Sequence, residues 1–85
     1  MSDLEKILAK MSQQPAGVRF TELFRVCEYY FGPARQRGSS HAIFKTPWLG
    51  DPRINIQNDK GKAKAYQVKQ VQEAIMKLKE ATHEH

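Results

Sequence analysis

The chain has 85 residues and a formal net charge of +5. At this length we expect one domain with one modest core, and no room for a separate cofactor-binding domain. The positive charge favours partners that carry phosphate, either a nucleic acid or an anionic membrane. No apolar run approaches the roughly 20 residues that span a bilayer. The start, Ser2-Asp3-Leu4-Glu5, lacks the basic character of a signal peptide, so we expect a cytoplasmic location.

Two helices are predicted in the first third of the chain. Ser2 and Glu5 have capping-box spacing, and the apolar residues that follow have the helical period, which predicts an N-terminal helix over about 3–11. A second helix is predicted over 20–31, where Gly32-Pro33 supplies a stop. Its apolar stripe consists of Phe20, Leu23, Phe24, Cys27, Tyr30 and Phe31.

The apolar period then changes to two, which predicts three short strands over about 34–38, 41–46 and 53–57. Successive side chains of a strand point to opposite faces, so one face should be apolar and pack on the helices. That face consists of Ala42, Phe44, Ile54 and Ile56. The opposite face should be polar and cationic, with Arg35, Arg37, His41, Ile43, Lys45, Arg53, Asn55 and Gln57.

A turn is predicted at 58–61, followed by a last helix from about Ala65 and a frayed tail over 81–85. The core, about 20–78, then has the order helix, three strands, helix. We therefore predict an α+β domain in the order α-α-β-β-β-α. Its small three-stranded antiparallel sheet would have the helices packed on one face, as in double-stranded-RNA-binding domains.

His41 is the first candidate for chemistry, because an imidazole can accept or donate a proton near neutral pH. RNA carries its own nucleophile, the 2′-hydroxyl, and a positioned base could remove its proton. Arg35, Arg37 and Lys45, on the same predicted face, could hold the phosphate. The alternative interpretation is that His41 is simply an exposed residue at the start of a strand.

Other candidates are less specific. Lys60, Lys62 and Lys64 precede the last helix and could bind phosphate, or form an ordinary solvated loop. Trp48 could stack on an unpaired base, or cover the edge of the core. The single Cys27 is expected in the core, and His83 and His85 have no third ligand nearby in sequence, so no metal or other cofactor is expected.

The stretch Gly38-Ser39-Ser40-His41-Ala42-Ile43-Phe44 resembles the motif of the HicA family of toxin–antitoxin modules, with Ser40, His41 and Phe44 in matching positions and one additional serine. The resemblance covers about 20–78 and is specific only over 35–46. It implies a double-stranded-RNA-binding fold, metal-independent cleavage of mRNA by His41, and silencing by a HicB antitoxin. The residues then expected to contact RNA are Arg35, Arg37, Ser39, Ser40, Lys45, Arg53, Lys60, Lys62 and Lys64.

Two other functions remain open at this point. The run of lysines before the last helix is also typical of a passive module that binds double-stranded RNA without cutting it. A third possibility is a subunit with no RNA role, whose basic face binds an acidic protein.

Overall fold

The computed structural model describes residues 2–38, 40–47 and 53–83, with the backbone alone over 81–83. The elements are α1 (Asp3–Gln13), a short 3₁₀ turn (Pro15–Gly17), α2 (Phe20–Phe31), β1 (Gln36–Arg37), β2 (His41–Lys45), β3 (Arg53–Asp59), β4 (Lys62–Ala63) and α3 (Ala65–His83). The predicted α+β class is confirmed. Within the described residues, no helix combines the length and apolar character needed to cross a bilayer.

The N-terminal helix begins at the predicted capping box. The Ser2 hydroxyl accepts a hydrogen bond from the Glu5 backbone N–H at 3.2 Å, and the Glu5 carboxylate accepts one from the Ser2 N–H at 3.2 Å. Both bonds satisfy backbone donors that a helix start otherwise leaves unpaired. The helix buries Ile7 and Met11 and continues to Gln13, two residues beyond its predicted end.

The central pair of strands has the predicted faces. The β2–β3 register runs from His41 opposite Gln57 to Lys45 opposite Arg53. Ala42, Phe44, Ile54 and Ile56 are all buried in one core with the apolar residues of the three helices. The opposite side of this pair, which we call the open face, carries His41, Ile43, Lys45, Arg53, Asn55 and Gln57.

The prediction of three strands was wrong, because β3 continues to Asp59 and the chain pairs again as β4, giving one antiparallel sheet in the order β1-β2-β3-β4. The cause is a tight turn in which Lys60 has φ +55° and Gly61 φ +88°. Left-handed residues at both turn positions match the twist of the two strands they join. The Asn58 carboxamide oxygen accepts the Gly61 N–H at 2.6 Å and holds the turn closed.

The predicted face of Arg37 was also wrong. The β1–β2 register places Gln36 opposite Ile43 and Arg37 opposite Ala42, so Gln36 lies on the open face and Arg37 on the helix side. The guanidinium carbon of Arg37 is 4.5 Å from the centre of the Phe24 ring, a cation–π distance. The reason is the turn, in which the Gly38 N–H donates to the His41 carbonyl at 2.9 Å. Because Gly38 is hydrogen-bonded to His41, odd-numbered residues of one strand lie opposite even-numbered residues of the other, and the alternation shifts by one.

Glu22 connects the first two helices. Its carboxylate accepts the Arg19 N–H at 2.9 Å and lies 2.9 Å from the Lys10 ammonium. Burial acts to raise the pKa of Glu22, but the Arg19 hydrogen bond and the Lys10 contact outweigh it, so the pKa is lowered from the ordinary 4.5.

Replacing Glu22 with glutamine is expected to destabilise the fold by about 1 kcal/mol at pH 7, because a partly buried ion pair is lost. A lowered carboxyl pKa stabilises the fold above its ordinary value of 4.5 and stops doing so as the pH falls through the folded value. Urea unfolding of both proteins should therefore differ at pH 7 and converge in acid. A difference that persists undiminished below the pKa of the folded carboxyl would contradict this assignment.

Candidate functional site

His41 is exposed at the start of β2, on the open face, as predicted. Its ring lies against Gly38, where a Cβ atom would be only 2.8 Å from the imidazole Cε1. Real Cβ atoms do not approach other atoms so closely, so a side chain at position 38 would force the ring to move. Gly38 therefore lets the imidazole lie over the turn that joins β1 to β2.

A shallow open cleft of about 320 Å³ surrounds the imidazole, and its lining consists of Ser40, His41, Asn55, Gln57, Asn58, Asp59 and Lys64. We call it the His41 cleft. Gln57 is directly opposite His41 in the sheet, and Asn55 and Asp59 are its diagonal neighbours on β3. The cleft is thus polar, with one ammonium and one carboxylate group among its lining residues.

The side of the cleft formed by β3 and α3 is fixed by the buried Gln67. Its carboxamide oxygen accepts the Gln57 N–H at 2.8 Å, and its Nε2 donates to the Gln57 side chain at 3.3 Å. The Lys64 carbonyl accepts the N–H groups of Gln67 and Val68, each at 3.0 Å. These bonds place the start of α3, and with it Lys64, beside the strand residue opposite His41.

Sequence reasoning identified only some of these lining residues. Asn55 and Gln57 were assigned to the open face, Lys64 to the basic run, and Ser40 to the HicA-like motif. Asn58 and Asp59 were missed because they were assigned to a turn, whereas β3 continues to Asp59. Gln67 was missed because one polar residue within a helix carries no signal of the strand edge it will meet.

The structure separates the predicted cationic residues instead of gathering them around His41. Arg37 lies on the helix side, and Arg35 lines a different cleft with Lys45 and Tyr30. Lys45 is on the open face but four residues along β2 from His41, a distance of roughly 13 Å. Arg53 is opposite Lys45, at the same far end. Only Lys64 of the predicted cations lines the His41 cleft.

Lys60 and Lys62 lie together in another cleft, with Lys10, Gly17, Arg19 and Gly61. Cys27 is buried, as predicted, and burial raises the pKa of its thiol to about 12. Ser39, Trp48, His85 and the side chain of His83 lie outside the described residues. In the part of the chain that is described, no three histidine, cysteine or carboxylate groups gather as metal ligands.

The groups of the His41 cleft define its possible chemistry. An imidazole can exchange a proton near neutral pH, an ammonium group attracts phosphate, and carboxamides can bond hydroxyl groups or base edges. The arrangement thus suits a polar, phosphate-bearing ligand more than an apolar one. No protein-family model, curated protein or solved structure matches the chain.

Proposed function

We propose that this protein is a metal-independent endoribonuclease that cleaves mRNA, a cytoplasmic toxin of the HicA type. The observation that carries the proposal is the exposed His41 in a polar cleft of a basic domain. The same residue occupies the histidine position of the HicA-like motif. Phe44, the aromatic residue of that motif, is buried directly behind the open face, so the motif combines one exposed chemical group with one core residue.

His41 would act as the general base. It takes the proton of an RNA 2′-hydroxyl, the 2′-oxygen bonds to the adjacent phosphorus, and the bond from phosphorus to the 5′-oxygen breaks. The products are a 2′,3′-cyclic phosphate and a 5′-hydroxyl, whose proton comes from the imidazolium or from water. A positioned base contributes roughly 10²–10⁴ to the rate. Lys64 would attract the phosphate that carries the developing negative charge.

An enzyme of this kind needs a partner that masks it. The proposed partner is a HicB-type antitoxin that covers His41 on the open face. Because the domain carries a net charge of +5, we expect the surface that meets it to be acidic.

The direct test is incubation of the purified protein with labelled single-stranded RNA in the presence of EDTA. The expected products are fragments ending in 2′,3′-cyclic phosphate, released without added metal. RNA that stays intact after long incubation would contradict the proposal.

A second candidate function is passive binding of double-stranded RNA. Lys64 precedes α3 directly, and Lys60 and Lys62 lie in the adjoining turn and strand, so three lysines concentrate at one end of the sheet. Such a module would bind duplexes in a salt-sensitive, sequence-tolerant way and leave them uncut. The same incubation, with duplex binding measured in parallel, distinguishes the two functions.

Replacing Gly38 with alanine should lower cleavage by roughly 10-fold or more, because general-base catalysis requires the proton acceptor within hydrogen-bond reach. The new Cβ would displace the imidazole, whose Cε1 lies 2.8 Å from its position. The unfolding midpoint should hardly change, since the exposed ring can rotate away.

Gln70→Ala is the control, because Gln70 is exposed on α3 and lines neither the His41 cleft nor the cleft that contains Lys60 and Lys62. Initial cleavage rates and thermal unfolding of both variants provide the comparison. Full activity of the Gly38 variant would show that the position of the ring over the turn is not needed.

A further inference from the structure

A second cleft, of about 450 Å³, lies at the tip of the β3–β4 hairpin. It is lined by Lys10, Gly17, Arg19, Lys60, Gly61 and Lys62, and we call it the hairpin cleft. We propose that it is a second phosphate-binding site, which holds the backbone of the RNA strand whose scissile phosphate occupies the His41 cleft. This proposal rests on the proposed function only in taking the ligand of the His41 cleft to be RNA.

The charge of the hairpin cleft is one-sided. Four of its six lining residues are cations, and the other two are glycines. The Glu22 carboxylate lies 2.9 Å from Lys10 and is also attracted to Arg19, so it offsets one of the four positive charges and leaves a surplus of three to attract an anion. Glycines at two lining positions let a bulky phosphate group approach the backbone.

Sheet pairing aligns this cleft with the open face. Lys62 is opposite Asp59 across the hairpin, and an isolated antiparallel bridge pairs Arg19 with Lys62. Residues paired in this way point to the same face of a sheet. Asp59, Lys62 and Arg19 therefore form a row on the same face as His41.

The distance between the two clefts suits a continuous strand of nucleic acid. Gln57 lies opposite His41, and Lys60 follows it by three residues, or roughly 10 Å along the chain. Successive phosphates of a stacked strand advance about 3.4 Å along its axis. The hairpin cleft would thus hold phosphates about three nucleotides from the cleavage site.

Backbone hydrogen bonds hold two segments of the cleft together. The Phe20 N–H donates to the Gly61 carbonyl at 3.1 Å, and the Ala63 N–H donates to the Val18 carbonyl at 2.9 Å. The hairpin is therefore joined to the start of α2. A site built before the ligand arrives loses less entropy on binding than one that must be ordered.

The lining favours nucleic acid over an acidic protein. The centre of a protein–protein interface is usually apolar and rich in aromatic residues. None of the residues described in the lining of the hairpin cleft is aliphatic or aromatic. Multiple cations without apolar contacts are instead typical of binding to a phosphate backbone.

The test is RNA binding by a variant with Arg19→Gln, Lys60→Asn and Lys62→Gln, which we call the hairpin variant. It is made in the His41→Ala protein so that the probe stays intact. Asparagine is used at position 60 because it tolerates the left-handed backbone there. The control protein carries Lys6→Gln, Lys69→Gln and Lys79→Gln, which remove the same charge from exposed positions outside both clefts.

The probes are a fluorescent decanucleotide and a trinucleotide, titrated over a range of salt concentrations. We expect the hairpin variant to bind the decanucleotide at least roughly 10-fold more weakly than the control. The magnitude of the slope of log binding constant against log salt concentration should fall by about 2. Each phosphate contact to a single strand contributes about 0.7 to this slope, and three cations are removed. Binding of the trinucleotide should change equally in both variants.

The proposal of a second site would be overturned if both variants lost the same affinity for the decanucleotide. It would also be overturned if the hairpin variant lost the same affinity for the decanucleotide and the trinucleotide. Far-ultraviolet circular dichroism checks that both variants are folded. Because binding is measured without cleavage, the two proposals fail separately. If wild type cuts no RNA but the hairpin variant alone loses decanucleotide binding, the nuclease proposal fails and the phosphate site stands.

Discussion

Replacing His41 with alanine is expected to lower RNA cleavage by roughly 10²–10⁴-fold, the usual contribution of a positioned general base. The side chain is exposed and outside the core, so the variant should remain folded, with a stability change within about 0.5 kcal/mol. Initial rates on a labelled RNA give the first measurement. Growth after induction in cells gives the second, and the variant should no longer arrest it.

The matched control is His83→Ala, which also removes one histidine, at a position outside the HicA-like motif. It should cleave RNA and arrest growth as wild type does. Added imidazole should restore part of the activity of the His41 variant, because a free base can enter the space left by the side chain. Equal cleavage and toxicity of wild type and His41→Ala would end the nuclease proposal.

Helices and the central strand pair could be predicted because their signals are local. The Ser2–Glu5 capping box and the Gly32-Pro33 stop lie within a few residues of the ends they define. The faces of β2 and β3 follow from alternation within each strand, and their register keeps odd-numbered residues together, as in the pairing of His41 with Gln57.

The edges of the sheet could not be predicted in the same way. The face of Arg37 depends on how sharply the chain turns between Gly38 and His41, which shifts the alternation. The fourth strand depends on Lys60 adopting a left-handed backbone, which lysine rarely does. Its pairing with Arg19 joins segments more than forty residues apart, which no local pattern encodes.

Of the candidate site, the central residue could be predicted from the sequence, but most of the residues around it could not. The position of His41 on the open face follows from strand alternation alone. The charge beside it does not come from Arg35 or Arg37 but from Lys64, the residue that directly precedes α3. That placement depends on the hydrogen bonds between Gln67 and Gln57, a contact that only the folded chain creates.

Replacing Phe44 with alanine is expected to have the largest effect on stability, a loss of about 3–5 kcal/mol. Phe44 is fully buried, and its ring meets that of Phe24 edge-on, with 5.3 Å between ring centres. Small domains have a total stability of about 5–15 kcal/mol, so the variant should lie near the threshold of unfolding at 25 °C. Urea unfolding followed by circular dichroism gives the measurement.

Phe44→Leu is the control, because leucine refills much of the cavity and should cost well under half as much. The comparison also distinguishes the roles of two motif residues, His41 and Phe44. Loss of His41 should remove cleavage from a folded protein, whereas loss of Phe44 should remove fold and cleavage together, and leucine at position 44 should restore both. A Phe44→Ala protein as stable as wild type would mean that Phe44 does not hold β2 against α2, and the core described above would need a different arrangement.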